Sequence, residues 1–157
     1  MASVPYMERT RAWYEAQGYT RAYHWAHFEK VPFQATEKPL SNCRVAIVTT
    51  AGQLEADGRP VLPKRVYSHA TATPPEHFYT QDLAWDREAT HLDDRSSFLP
   101  IAQLEEQAAA GRIASLAPRF HGVPTEYSQR RTLEIDAPDL LARLREDEAD
   151  VALLVPL

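Results

Sequence analysis

The chain predicts an α/β fold: a Rossmann-like three-layer domain with a mostly parallel sheet, incomplete at its C-terminal edge. Three observations carry the prediction. Two apolar runs, Arg44-Val45-Ala46-Ile47-Val48-Thr49-Thr50 and Val151-Ala152-Leu153-Leu154-Val155-Pro156-Leu157, read as parallel strands of the kind buried on both faces. Helical patterns over 100–111 and 137–148 each precede an apolar run, the first of them Ile113-Ala114-Ser115-Leu116-Ala117. At 157 residues and 44% hydrophobic the chain supports one core. A single domain over 1–157 is expected, with an aromatic amino-terminal arm over 1–40 and an α/β core over 41–157.

In order, residues 7–17 place Met7, Ala12, Trp13 and Ala16 among charges as a short helix, closed by Gly18 at a C-cap position. Tyr19, Tyr23, Trp25 and Phe28 follow, interleaved with His24 and His27. Such a run serves as a clasp on the core, an oligomer contact or a ligand box. No Asp, Glu or Cys nearby completes a convincing ligand set with the two histidines, so no metal is expected. Pro32 and Pro39 break the connection to the first core strand, which halts at Ala51-Gly52. That is a βα-loop position, but the full Gly-x-Gly-x-x-Gly pattern is absent and the chain has only 5 glycines, which argues against a nucleotide cradle and any resident cofactor.

Asp57-Gly58-Arg59-Pro60 forms a turn, Val66-Tyr67-Ser68 a short strand, and Pro74-Pro75 a loop. His91, Asp93 and Asp94 lie in an acidic stretch, suited to proton transfer or simply to capping local turns. The helix over 100–111 starts with proline in its first turn, puts Ile101, Leu104 and Ala108 on one face, and stops at Gly111. Arg119 and His121 then fall in the loop after strand 113–117. They offer a fixed cation and a titratable imidazole. Asp136 reads as the N-cap of the final helix, with Pro138 in its first turn and Leu140, Leu141 and Leu144 facing inward.

Composition narrows the function classes. A formal net charge of -5, with basic residues scattered, opposes nucleic-acid binding. No segment has the length of a membrane span, no signal peptide opens the chain, and the lone Cys43 suits a reducing compartment, so a cytoplasmic location is expected. If the strands ending at Thr50, Ala117 and Val155 are parallel neighbours, their loops meet at one sheet edge, where open α/β sheets bind ligands. That edge would gather Thr49, Thr50, Gly52, Arg119 and His121.

The series Trp25 to Pro32-Phe33, Lys38-Pro39-Leu40, Arg44 to Gly52, Phe98-Leu99-Pro100-Ile101, Gly111-Arg112-Ile113-Ala114-Ser115-Leu116-Ala117-Pro118-Arg119-Phe120-His121-Gly122 and Asp150 to Pro156 resembles the selenoprotein B family of glycine, sarcosine, betaine and D-proline reductases. The resemblance runs along nearly the whole chain in the same order. It implies that the last strand leads into a selenocysteine or cysteine motif, whose selenolate or thiolate cleaves a carbon-nitrogen bond reductively. Here the sequence ends at Leu157, and Cys43 precedes the first strand. Termination at a selenocysteine codon is the expectation that follows. Some relatives work with a pyruvoyl-bearing partner.

Two functions are therefore expected to compete. In the first, the chain is a subunit or truncated product of such a reductase, inactive alone. Arg119 would grip the carboxylate of a small amino-acid-like substrate, His121 or His91 would move protons, Glu126 would meet a substrate ammonium, and Thr49, Thr50 and Gly52 would line the site. In the second, it is a non-catalytic interaction subunit or remnant that uses the sheet edge and the aromatic arm to form a homo- or hetero-oligomer.

Overall fold

A computed structural model of the chain describes residues 4–22, 27–31, 34–81, 92–125 and 128–157. The chain divides into two compact units, Met1–Phe33 and Gln34–Leu157. In the first, helix α1 (Tyr6–Ala16) ends where Gly18 takes a φ of 85°, the left-handed conformation expected of a C-terminal glycine. Its rings meet edge to face, Trp13 with Tyr14 at 5.2 Å and Tyr14 with Tyr19 at 5.4 Å. Tyr23, His24 and Trp25 lie outside the described residues.

The second unit is a mixed α/β fold around an open five-stranded sheet: β1 (Arg44–Thr49), β2 (Tyr67–Ala70), β3 (Ser115–Leu116), β4 (Arg119–Gly122) and β5 (Val151–Val155). β3, β4 and β5 all run parallel to β1, and β2 pairs antiparallel with β4. β3 and β4 follow one another along one flank of β1, opposite Val45 and Val48 respectively, and β5 occupies the other flank from Val45 to Thr49.

The strand expected over 113–117 therefore does not end in a loop. Pro118 has no N–H and interrupts it, but Ala117 donates to Val45 O at 2.8 Å and Val123 to Thr49 O at 2.9 Å, so pairing with β1 resumes and runs on. Arg119 and His121 are strand residues as a result.

Period-2 alternation then sorts the sheet's two faces. Ile47, Tyr67 and Phe120 point to one side. There they form the core with Phe98 and Leu99, and Ile101 and Leu104 of helix α2 (Ile101–Ala109) pack against it. Phe120 and Ile47 are fully buried. Val48, Ser68 and His121, which are register partners, point to the other side. There they meet the second helical segment.

That segment begins at Ser128, whose hydroxyl accepts from Arg131 N at 3.2 Å, and passes through α3 (Gln129–Arg131) and a π turn (Thr132–Asp136) into α4 (Ala137–Glu146). Asp136 is thus not an N-cap: its backbone is helical, with φ -72 and ψ -42, and its carboxylate is buried. Pro138 explains the widened turn, because it lacks the N–H that the Glu134 carbonyl would receive in a regular α-helix. Leu140 and Leu144 are half-buried, whereas Leu141 is exposed, against the expectation that all three face inward.

The apolar run over 151–157 forms a strand as expected, and the cover that such a run usually has is incomplete: Ala152, Leu153 and Leu154 of β5 are exposed, Leu154 at 66%.

Candidate functional site

Three strands deliver their C-terminal ends to one edge of the sheet: β1 at Thr49, β4 at Gly122 and β5 at Val155, which stand in register. β1 leads into β2, which pairs with the side of β4 away from β1, so the chain leaving β1 passes the end of β4 and, with the residues leaving β4, encloses a crevice. A cavity of about 240 Å³ lies there, lined by Thr50, Gly52 and Gln53 after β1, by Val123, Pro124 and Thr125 after β4, and by Lys64, Arg65 and Tyr67 leading into β2. Tyr79 closes one side.

Backbone pairing shapes its floor. Gly52 N–H donates to Tyr79 O at 2.7 Å and Tyr79 N–H returns to Gly52 O at 2.8 Å. A Cβ at Gly52 would stand 3.3 Å from the Tyr79 side chain, so glycine permits this approach. At Gly122 the requirement is stricter, since a Cβ would overlap the Tyr67 ring. The Tyr67 hydroxyl donates to Ala51 O at 2.6 Å, and burial pushes its pKa well above the usual value. Tyr67 is therefore a neutral strut.

The expected residues separate into groups. Thr50 and Gly52 line the cavity. Thr49 is fully buried, and its Oγ1 accepts from Ala51 N at 3.2 Å, shaping the turn behind the cavity. Thr50 Oγ1 accepts from Leu157 N at 2.9 Å, which ties the residues after β5 to the loop after β1. His91 and Glu126 lie outside the described residues.

Arg119 and His121 come together with each other, away from the cavity lining. The Arg119 guanidinium donates to Asp147 Oδ1 at 2.8 Å and to Glu146 Oε2 at 3.0 Å, and the bonds to Glu146 and Asp147 raise its pKa. This is not the free fork in a loop that a substrate carboxylate needs. Its partners occupy it because β4 continues past Pro118 and carries Arg119 toward the end of α4.

His121 is fully buried on the same face, with Nδ1 2.9 Å from Ser68 Oγ and Nε2 3.1 Å from Asp147 Oδ2. Nε2 faces the Asp147 carboxylate and so carries the proton of the neutral ring, which leaves Nδ1 to accept from the Ser68 hydroxyl, while Ser68 Oγ accepts from Arg143 at 3.0 Å. The last pair has the distance of a contact without the alignment of a hydrogen bond. Burial lowers the His121 pKa, Arg119 and Arg143 add to the effect, and Asp147 opposes it. Ser, His and Asp here do not make a hydrolytic triad: the serine oxygen already accepts from a guanidinium, which blunts it as a nucleophile. The cluster fastens β2 and β4 to α4.

Sequence reasoning missed the cations of the cavity wall. Lys64 and Arg65 sit between Pro63 and Val66 in an aperiodic loop, and the adjacent basic pair just before a strand was the available signal. It missed His69 too. Gln53 Nε2 lies 3.0 Å from His69 Nε2; with the amide donating, that ring nitrogen accepts and the imidazole is neutral, in keeping with a pKa lowered by burial. Cys43 is buried at the opposite end of β1, with Sγ 3.4 Å from Pro39 O. Among the described residues no group of three or more His, Cys, Asp or Glu is placed to hold a metal ion, and no helix is long and apolar enough to cross a membrane. Comparison with known protein families, with curated proteins and with solved structures finds no match to this chain.

Proposed function

We propose that the second unit is a Rossmann-like half-site of a glycine, betaine or D-proline reductase-like enzyme, whose attacking selenolate or thiolate belongs to residues following β5. The observation that carries this reading is the cavity between the ends of β1 and β4, with the residues after β5 bonded to its rim through Thr50. The ordered sequence resemblance supplies the reaction class. In that reaction a selenium- or sulfur-carbon bond forms as the carbon-nitrogen bond breaks and the electron pair leaves with nitrogen, which takes a proton; a dithiol donor then attacks the selenium or sulfur, the carbon departs with the bonding pair and takes a proton, and closure of the donor's disulfide frees the nucleophile again.

Geometry redistributes the roles within this proposal. Thr50 and Gly52 keep theirs at the cavity. Proton movement falls to His69, one hydrogen bond behind the lining residue Gln53, rather than to the buried His121. The test is dithiol-dependent reduction of glycine, betaine and D-proline by a form extended past Leu157 with a selenocysteine or cysteine motif, beside the 157-residue chain. Turnover by the extended form alone supports the reading. Inactivity of a folded extended form on all three substrates removes it.

A second reading, an interaction subunit or remnant that pairs with another chain, is favoured by one specific observation. β5 is an uncharged edge strand with Leu153 and Leu154 exposed, and Leu133, Ile135 and Leu141 of the second helical segment are exposed as well. Mass measurement in solution tests it, since a stable monomer across the micromolar range would leave that surface without a partner.

A further inference from the structure

We infer that the cavity recognises a small monocarboxylate, and that Arg65, assisted by Lys64, holds its carboxylate. This rests on the proposed site and names the group by which it grips its ligand. Three features of the wall carry the inference.

The first is charge. Lys64 and Arg65 both line the cavity, and no acidic side chain does so among the described residues, although Asp and Glu outnumber Lys and Arg in the chain by 22 to 17. Arg65 is exposed and has no ion-pair or hydrogen-bond partner among the described residues. Its planar fork therefore remains available for two parallel bonds to a carboxylate. Arg119, by contrast, is satisfied by Asp147 and Glu146.

Rigidity is the second feature. The Lys64 carbonyl accepts from Arg131 Nη2 at 2.9 Å, and Arg131 Nε lies 3.5 Å from the buried Asp136 carboxylate. Lys64 Nζ itself stands 5.8 Å from the centre of the Tyr79 ring. The helical segment after β4 thus braces the loop that carries both cations, and Arg131 is a positioning residue.

The third feature selects carboxylate over phosphate. A phosphate cradle needs several backbone N–H groups aimed at one point. Here the Gly52 and Tyr79 N–H groups are spent on each other's carbonyls, and Val123 N–H on Thr49 O. The rest of the wall is largely apolar, with Val61, Val66, Val123 and Pro124, and about 240 Å³ admits only a compact body.

The test is a titration of the full chain, followed by amide NMR, with three probes: isobutyrate, its neutral isostere isobutyramide, and inorganic phosphate. Isobutyrate is expected to shift the Tyr79, Val123 and Thr125 resonances. Isobutyramide, or isobutyrate on Arg65→Gln, is expected to bind about 10–100-fold more weakly, the value of a charge-assisted contact. Lys64→Met should weaken binding less. Because Arg65 is exposed, an unchanged spectrum of the free variant checks its fold. Equal binding of isobutyrate and isobutyramide, tighter binding of phosphate, or indifference to Arg65→Gln overturns the inference. The reductase reading fails separately. Carboxylate binding that depends on Arg65, with an inactive extended form, sinks the reductase and leaves the carboxylate site standing. Reductase turnover with a KM indifferent to Arg65→Gln does the reverse.

Discussion

His121 and Asp147 face each other across the boundary between β4 and the end of α4, with Nε2 and Oδ2 3.1 Å apart and the imidazole fully buried. The pair makes stability depend on pH. The folded imidazole titrates below its ordinary value of 6.5, mainly because burial penalises its charged form. Between the two pKa values the unfolded chain binds the extra proton, so stability is full above the ordinary value and falls as pH drops toward the folded one. The urea midpoint is expected to decline from pH 7.5 to 5.5. In His121→Gln the decline should be shallower, with a remainder from His69, whose pKa is lowered in the same direction. An identical slope in the variant would show that His121 is not held neutral.

Arg119 is predicted to be structural. Arg119→Met removes its charge-assisted bonds to Asp147 and Glu146, at a cost of about 1.5–3 kcal/mol in urea unfolding. Combined with Asp147→Asn, the loss should be clearly less than additive, because the two changes remove one shared contact. Strict additivity would mean that the pair contributes nothing.

Gly122→Ala places a methyl group against the Tyr67 ring and is expected to cost about 1–3 kcal/mol through overpacking. Tyr67→Phe leaves the buried Ala51 carbonyl without its donor, for a loss of about 1–3 kcal/mol. Both should also loosen isobutyrate binding, since Tyr67 lines the cavity. Wild-type stability in both variants would contradict the packing described at this corner.

Leu154→Lys tests the exposed edge. Leu154 is 66% exposed, so the substitution should change stability by no more than about 0.5 kcal/mol. If β5 pairs with another copy, the variant should run as a monomer in analytical ultracentrifugation where the parent chain does not. Equal sedimentation of the two would dismiss that pairing.

Much of the scaffold was legible because its signals are local. The β-branched run of β1, the apolar run of β5, and Gly18 and Gly111 at positive φ all declare themselves within a few residues. β4 did not, because Arg119-Phe120-His121-Gly122 buries only Phe120 in the apolar core. Its polar face is satisfied by Asp147, 26 or more residues later in the chain, a partner that only the tertiary fold reveals. Asp136 beside Pro138 imitates a helix start, and the true start at Ser128 was hidden by the π turn. Thr50 and Gly52 followed from their place after the first strand. Lys64 and Arg65 lie in a connection without periodicity, where sequence carries charge but no direction.

The π turn has a mechanical meaning for the whole second unit. It acts as a one-residue phase shift in an otherwise continuous rod, so that Arg131 upstream reaches the loop of Lys64 while Arg143 and Glu146 downstream reach β2 and β4. A change that let 132–136 wind as ordinary α-helix at the same length, such as Pro138→Ala, would rotate the upstream portion by about 100°. Arg131 would then swing off the Lys64 carbonyl, and a lesion outside the cavity lining would slacken the wall that holds both cations.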